Sequence, residues 1–213
     1  IGSATDANDD QLAYNWEQYD LGPESRIDDP RGDAPIFRSV PPSPNGNVRL
    51  FSDVLRDISF PGQPPILREQ EVLPTYSRNL TFRLTARDNN PEAGGIDWKE
   101  VHFLADEVAG PFIVNDPLDT EWEVGDYQEV TWDVANTDQA PVNCQIVNIL
   151  ASTDGGDNYD IVLAEDVVNS GTAFVTVPER AVGNNVLIMV EAVDNIFLNW
   201  NENAFSVSAA TQP

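Results

Sequence analysis

Two short polar segments contain the residues that could hold a metal ion. Asp6, Asn8 and Asp10 alternate with other residues in DANDDQ, and Asp88 and Asn90 open DNNPEAGG. Carboxylate and amide oxygens are the ligands of Ca²⁺, which takes six to eight of them. Alternate residues of a tight turn can face one ion, so the five residues predict a calcium site. The glycine and glutamate of an EF-hand are missing, and an ordinary Asx-rich turn is the alternative.

Two aromatic residues near the end of the chain are candidates for contact with a ligand. Phe197 and Trp200 lie in DNIFLNWNEN, among Asp and Asn residues. Aromatic side chains exposed at loop tips often make ligand contacts. The same rings could instead plug the end of a hydrophobic core. The sequence leaves both interpretations open.

The other reactive side chains do not form a catalytic set. The chain has one histidine, His102, and one cysteine, Cys144, and both lie in apolar segments that predict strands. The motif H-E-x-x-H is missing, and one histidine cannot build the usual zinc site. No glycine-rich phosphate loop opens a helical pattern. We therefore predict no catalytic residue in this chain.

The segment STDGGDNY, residues 152–159, resembles an Asp-box, S-x-D-x-G-x-T-W. Its Asp-Gly pair is also a strong former of hairpin turns. In turns of this kind the aspartate, here Asp154, bonds backbone amides and holds the hairpin closed. We expect a structural role for this turn and not a catalytic one.

Alternating apolar residues indicate the strands that must position these side chains. Residues 80–85 alternate apolar and polar, and the apolar pattern resumes at Trp98 after the polar loop 88–95. Residues 12–17 alternate in the same way after the first polar segment. In an immunoglobulin-like sandwich, the loop after the second strand lies beside the loop after the sixth. We therefore expect both polar segments at one pole.

Residues 20–75 are long for a loop and rich in proline and charge. Within them, residues 49–58 place apolar side chains on one side of a short helix. A connection of this length with few regular elements is usually functional or a family insertion. We expect a long Pro-rich insertion in the first domain, and we expect that domain's first strand upstream of Ile1.

Strand signals restart after the segment ADEVAG and predict about seven further strands, which is the number in an immunoglobulin-like domain. No helix of ordinary length is evident there. The 213 residues suffice for two sandwiches of about 100 residues each. The sequence predicts an all-β protein of two tandem immunoglobulin-like or fibronectin-III-like sandwiches, residues 1–109 and 110–213.

The chain is strongly acidic. It has 36 Asp and Glu against 11 Lys and Arg, a formal net charge of −25. The negative field of such a chain repels nucleic acid and anionic membranes. The sequence contains no run of about 18 apolar residues, the length that could span a bilayer. Three interpretations compete: a surface adapted to salt water, acids that bind Ca²⁺, and a solvated acidic surface without a task.

Several segments of the sequence are similar to sequences of one family. GSATDANDDQLAYNWEQYDLGP resembles a module of secreted bacterial proteins whose usual form runs near G-x-A-x-D-x-D-x-D-x-L-x-Y-x-W-E-Q-x-D. FRSVPPSPNGNVRLFSDVL, LPTYSRNLTFRLTARDNN, EVTWDVANTDQAPVNCQIVNILASTDGGDNY and DNIFLNWNENAFSV extend the likeness over nearly the whole chain. Together they resemble the region behind the catalytic domain of reprolysin-like zinc metalloproteases of marine and gliding bacteria. Asn8 and Asp9 depart from it, where aspartate and glycine are common.

The resemblance implies a secreted or cell-surface protein, with a zinc peptidase domain upstream in the same polypeptide. The family's catalytic histidines and glutamate have no matching positions here, so zinc and peptidase activity would belong to the parent protein. We expect a non-catalytic spacer or a module that docks a protein or glycan substrate, stabilised by Ca²⁺. The alternative is an adhesin-type module that binds glycan or protein at its loop poles.

Overall fold

The computed structural model describes residues 2–26, 29–39, 41–46 and 71–211. These residues form strands β1 to β12 and one short 3-10 helix, Glu179–Ala181, which confirms the predicted all-β class. The chain divides into two compact units, Ile1–Glu107 and Val108–Pro213. The expected boundary lies two residues later, between residues 109 and 110. Among the described residues, no helix has the length and apolar character to cross a bilayer.

The first unit contains an antiparallel sheet of three strands. They are β1 at Ala13–Gln18, β2 at Arg78–Arg87 and β3 at Ile96–Ala105, in the order β1-β2-β3. The ladder between β2 and β3 joins ten residue pairs without a register shift. The predicted alternation explains this regularity, because every second side chain of a strand faces the same side.

Loop residues cover the apolar face of this sheet. Ile36, Phe37 and Val72 pack with Leu80 and Phe82 of β2 in one buried cluster. A second sheet is not among the described residues of this unit. Within the expected insertion, the described parts 20–26, 29–39, 41–46 and 71–75 contain isolated bridges but neither a helix nor a strand. The helix expected at residues 49–58 lies outside the described residues.

The second unit contains the other nine strands. Their bounds are Ile113–Val114 (β4), Glu121–Glu123 (β5), Tyr127–Asp133 (β6), Ile146–Ser152 (β7), Ile161–Val168 (β8), Thr172–Thr176 (β9), Gly183–Ala192 (β10), Leu198–Trp200 (β11) and Phe205–Ser208 (β12). One sheet has the order β5-β12-β10-β7-β8 with β11 beside β10, and the other has the order β4-β6-β9. With the short strands β5 and β11 left out of the count from β4, the second and fifth strands are β6 and β9, and the third, sixth and seventh are β7, β10 and β12. Placing the first group in one sheet and the second group in the other is the division of strands in an immunoglobulin-like sandwich.

One core lies between the two sheets of the second unit. Trp132 of β6 and Val175 of β9 belong to the same buried cluster as Ile149 of β7 and Ile188 of β10. Each of these four residues is at most 3% exposed. Burying one such apolar side chain stabilises the folded state by roughly 1.5–3 kcal/mol. The cluster therefore holds the two sheets together and fixes the strand ends from which the loops start.

Candidate functional site

The two polar segments of the first unit meet at one pole, which confirms the predicted juxtaposition. Asn90 donates a hydrogen bond from Nδ2 to Oδ2 of Asp10 at 2.7 Å, across 80 positions of sequence. Asn8 donates from its own Nδ2 to the same carboxylate oxygen at 2.7 Å. The pairing of β1 with β2 brings the segments together, because Ala13 lies opposite Arg87. Asp10 is therefore the junction of the two loops.

Asp6 closes the first loop on itself. Its Oδ1 accepts the backbone N–H groups of Asn8 and of Asp10, each at 3.0 Å. The Asp10 N–H, followed by the Asn8 N–H, lowers the pKa of Asp6 because both bonds favour the ionised carboxylate. Asp9 adopts the left-handed conformation with φ 61°, which lets the chain turn between Asn8 and Asp10.

Asp88 closes the second loop in the same manner. Its Oδ1 accepts the N–H groups of Asn90 at 3.1 Å and of Gly95 at 2.8 Å. A Cβ at position 95 would lie 2.9 Å from Oδ2 of Asp88, so the glycine lets the carboxylate approach. Asn90 in turn accepts the N–H of Glu92 at 2.9 Å. The loop is thus held by side chains that bond its own backbone.

An open hollow of about 380 Å³ lies at this pole. Its lining includes Asp10, Asp88 and Asn90 as well as Ser43. Ser43 is fixed against β1, since Tyr14 donates its N–H to the Ser43 carbonyl at 2.7 Å and accepts the Ser43 N–H at 2.9 Å. The polar loops and a segment of the expected insertion therefore enclose one space.

The donor set of this pole fits a hard cation in its chemistry. Asp6, Asp10 and Asp88 supply carboxylate oxygens, and Asn8 and Asn90 supply amide oxygens, which are the ligands of Ca²⁺. In the described part of the chain, however, no three or more Asp, Glu, His or Cys side chains form a group that could hold a metal. The arrangement is a hydrogen-bonded pair of turns, and an ion would compete with the amide donors that contact Asp10.

The two aromatic candidates lie inside the second unit. Trp200 is 6% exposed, and its ring centre is 6.3 Å from that of Tyr159. Phe197 packs against the core, with its ring centre 4.9 Å from that of Phe112. These positions favour the interpretation of both rings as a plug over the interpretation as ligand contacts.

Sequence reasoning missed the structural role of two asparagines beside these rings. Asn201 is fully buried; its Oδ1 accepts the N–H of Ile188 at 2.6 Å and its Nδ2 donates to the carbonyl of Asn203 at 2.6 Å. Asn199 accepts the N–H of Val114 at 3.0 Å. Both amides satisfy backbone groups where the ladder is incomplete. The available signal was polar side chains alternating with apolar ones in LNWN.

A cation and two rings form a stack that was also missed. The guanidinium of Arg83 lies 3.5 Å from the ring centre of Tyr19 and 4.1 Å from that of Trp98. It also donates to Oε1 of Glu100 at 2.7 Å, and this bond is the main cause that raises the pKa of Arg83. The stack holds the side chains of β2 and β3 together on the face away from the loops at 36 and 72.

The predicted role of Asp154 is confirmed. Its Oδ1 accepts the N–H of Asn158 at 3.0 Å and the hydroxyl of Ser152 at 2.6 Å, and its Oδ2 accepts the Asn158 amide at 2.8 Å. The Ser152 hydroxyl, followed by the Asn158 side chain, lowers the pKa of Asp154 well below its usual range. This network closes the hairpin between β7 and β8.

Comparison with known proteins assigns no family to the chain. No protein-family model matches it, and no curated protein matches it at a significant level. A functional proposal therefore depends on the residues described above and on the sequence phrases that resemble the metalloprotease region.

Proposed function

We propose that the chain is a non-catalytic accessory region of a secreted, reprolysin-like zinc metalloprotease. It acts as a rigid spacer or a substrate-docking module, and Ca²⁺ stiffens the pole of its first unit. The observation that carries this proposal is the Asp10–Asn90 bond, which joins two Asp- and Asn-rich loops inside an all-β unit. The first of these loops lies in one of the segments that resemble the family.

Calcium would act by tying together loops that are already adjacent. The carboxylates of Asp6, Asp10 and Asp88 carry three negative charges in the two loops that the Asp10–Asn90 hydrogen bond joins. A divalent cation would offset the repulsion between these charges. An ion held only by the folded state raises stability by mass action. The expected ligands are the five predicted residues, Asp6, Asn8, Asp10, Asp88 and Asn90.

The partners of this region follow from the same proposal. The catalytic domain upstream in the polypeptide supplies the zinc and the bond cleavage, and this chain supplies distance or contact with a protein or glycan substrate. The location is secreted or at the cell surface. The net charge of −25 makes nucleic acid and anionic lipid poor partners.

A cleavage assay tests the non-catalytic role. The purified chain, supplied with Zn²⁺ and Ca²⁺, is incubated with casein beside a known metalloprotease as a positive control. We expect no fragments from the chain. Casein cleavage that a chelator stops would contradict the proposal.

An exposed pair of rings favours a second candidate, an adhesin-type module for glycan or protein. Tyr127 of β6 is 70% exposed and Phe174 of β9 is 53% exposed, and their rings stack with centres 5.1 Å apart. Two parallel, solvent-facing rings give a flat apolar surface of the kind that ligands contact. This surface lies on a sheet, and not at the loop pole where the sequence analysis placed it.

A glycan array separates the adhesin from the spacer form of the accessory region. Binding that disappears in Tyr127→Ala but persists in Val162→Ala would favour the adhesin, since Val162 is also exposed and lies on the other sheet. We expect a blank array, in agreement with the spacer.

A further inference from the structure

β3 is the longest edge strand among the described residues, and it is protected by the charged residues Asp97, Lys99 and Glu100 but by neither a proline nor a bulge. It has ten residues, no proline and no register shift against β2. Natural proteins shorten, bulge or cover such edges, because an unpaired edge is a template for another strand. The edge strand β8 is protected in this way, with register shifts in its ladder and a left-handed φ of 53° at Asp166.

The hydrogen bonds of β2 identify the backbone groups of β3 that point away from β2. Thr81 bonds on the β1 side of β2, donating its N–H to Asp20 at 3.0 Å and accepting the N–H of Tyr19 at 2.8 Å. Bonding direction alternates along a strand, so the even-numbered residues of β2 bond β3, and they face its odd-numbered residues. The even-numbered residues of β3 therefore point outward. Trp98 agrees, since its N–H donates to the Asp97 carboxylate at 2.8 Å.

Apolar side chains accompany this free edge. Ile96 is 64% exposed, Trp98 is 50% exposed, Val101 is 42% exposed and Leu104 is 54% exposed. Ile96, Trp98 and Leu104 share the face that carries the Arg83 stack. Val101 lies on the other face, and Glu100 and His102 stand between Trp98 and Leu104. Exposed apolar side chains along an edge strand indicate a site of association, because pairing would satisfy the backbone and bury them together.

We propose that β3 pairs antiparallel with β3 of a second copy of this chain, with Val101 opposite Val101 of the partner. The two three-stranded sheets then form one sheet of six strands. The occupant of the edge is a second copy because β3 is complementary to itself in this register.

The register follows from excluding the other symmetric arrangements. Two-fold pairing centres on one residue, and centring on Lys99 or Glu100 places that charged residue opposite its own copy. Like charges directly opposite each other destabilise a sheet. Centres nearer the ends of β3 pair fewer residues. Centring on Val101 avoids all of these faults.

The Val101 register also makes favourable pairs. Glu100 lies opposite His102 of the partner, and Trp98 lies opposite Leu104 of the partner, so a carboxylate meets an imidazole and an aromatic ring meets an aliphatic chain. All four are even-numbered, so their outward backbone groups face the partner strand, and the Trp98 N–H would exchange its bond to the Asp97 carboxylate for one across the interface. Val101 then forms a pair without hydrogen bonds, in which side chains approach closely.

Local charge permits this association although the chain carries −25. β2 and β3 contain Arg78, Arg83, Arg87 and Lys99, but only two acids, Asp97 and Glu100. Two copies therefore meet at the part of each unit where acids are not in excess. The remaining acids of the two copies repel each other at longer range. At 0.15 M salt, this repulsion is largely screened beyond about 8 Å. The dimer should accordingly strengthen as salt is added.

A cysteine placed at the proposed centre tests the register on the full chain. Paired residues without hydrogen bonds lie about 4.5 Å apart at Cα, within reach of a disulfide. Under mild oxidation we expect Val101→Cys to give a disulfide-linked dimer, since the native Cys144 is 4% exposed. Lys99→Cys is the control, because its two copies would lie about 13 Å apart, four residues along the strand. A linked dimer in Lys99→Cys, or none in Val101→Cys, would overturn the register.

Sedimentation velocity tests the association itself. The unmodified chain should form a dimer whose fraction rises with NaCl. Val101→Lys, which opposes two ammonium groups at the centre, should remain monomeric at every salt concentration and keep its melting transition. Val162→Lys makes the same change at a 48% exposed position of β8 and should dimerise as the unmodified chain does. A native chain that stays monomeric in high salt, or a Val101→Lys dimer, would refute the proposal.

Discussion

At the scale of single residues, three aspartates of this chain close turns by accepting backbone N–H groups. Asp6 and Asp88 close the two loops of the first unit, and Asp154 closes a hairpin of the second. The sequence predicted these turns because Asp and Asn side chains bond local backbone. It could not separate a turn from an ion site, since the two use the same residue types at the same spacing.

The Asp154 turn makes the free energy of unfolding depend on pH under acidic conditions. The pKa of Asp154 is lowered in the folded state, so its contribution is complete above its unfolded pKa of about 3.9 and is lost as the pH falls below that value. Asp154→Asn should lower stability at pH 7 and reduce the further loss between pH 4 and pH 2. Urea unfolding across this range measures it. Asp157→Asn, an exposed change in the same turn, should keep the native pH profile.

The buried amide of Asn201 makes a second prediction. Asn201→Leu leaves the N–H of Ile188 and the carbonyl of Asn203 without their partner. An unsatisfied buried polar group costs about 1–3 kcal/mol, so the free energy of unfolding should fall by about that amount. Urea denaturation measures the change. Asn184→Leu, at an exposed position of β10, should alter it by less than about 0.5 kcal/mol.

At the scale of elements, alternation predicted β1 to β3 and hence the meeting of the two loops. The period of two fixes which side chains share a face, and antiparallel pairing then fixes which loop ends are adjacent. The environment of Phe197 and Trp200 could not be predicted. Trp200 belongs to the short strand β11, and whether so short a segment points inward depends on contacts with distant residues such as Tyr159.

The Arg83 stack should tie β3 to the sheet of the first unit. Arg83→Lys keeps the charge but loses the planar group that lies between Tyr19 and Trp98, so the melting temperature should fall and the fluorescence of Trp98 should change. Arg87→Lys makes the same change on the same face of β2 and is the control. Equal melting temperatures for the two variants would show that the stack contributes nothing particular.

At the scale of the molecule, the basic and acidic residues of the first unit are distributed unevenly. The three-stranded sheet of the first unit carries four of the chain's 11 basic residues, whereas the polar pole of the same unit collects carboxylates. This division separates the proposed self-pairing edge from the proposed calcium pole. Composition alone gave the net charge and excluded nucleic acid and anionic membranes as partners. Only the pairing of strands locates the edge of β3 and the proposed calcium pole.

The central proposal is a non-catalytic accessory region whose first unit is stiffened by calcium, and melting with and without the ion tests the calcium site most directly. Calcium at 100 times its dissociation constant adds about 2.7 kcal/mol of stability. The melting temperature of the native chain should therefore fall when a chelator replaces Ca²⁺, and Asp10→Asn should remove the difference. Asp9→Asn, beside the cluster, should retain it. A native chain that melts at the same temperature in both conditions would contradict the account.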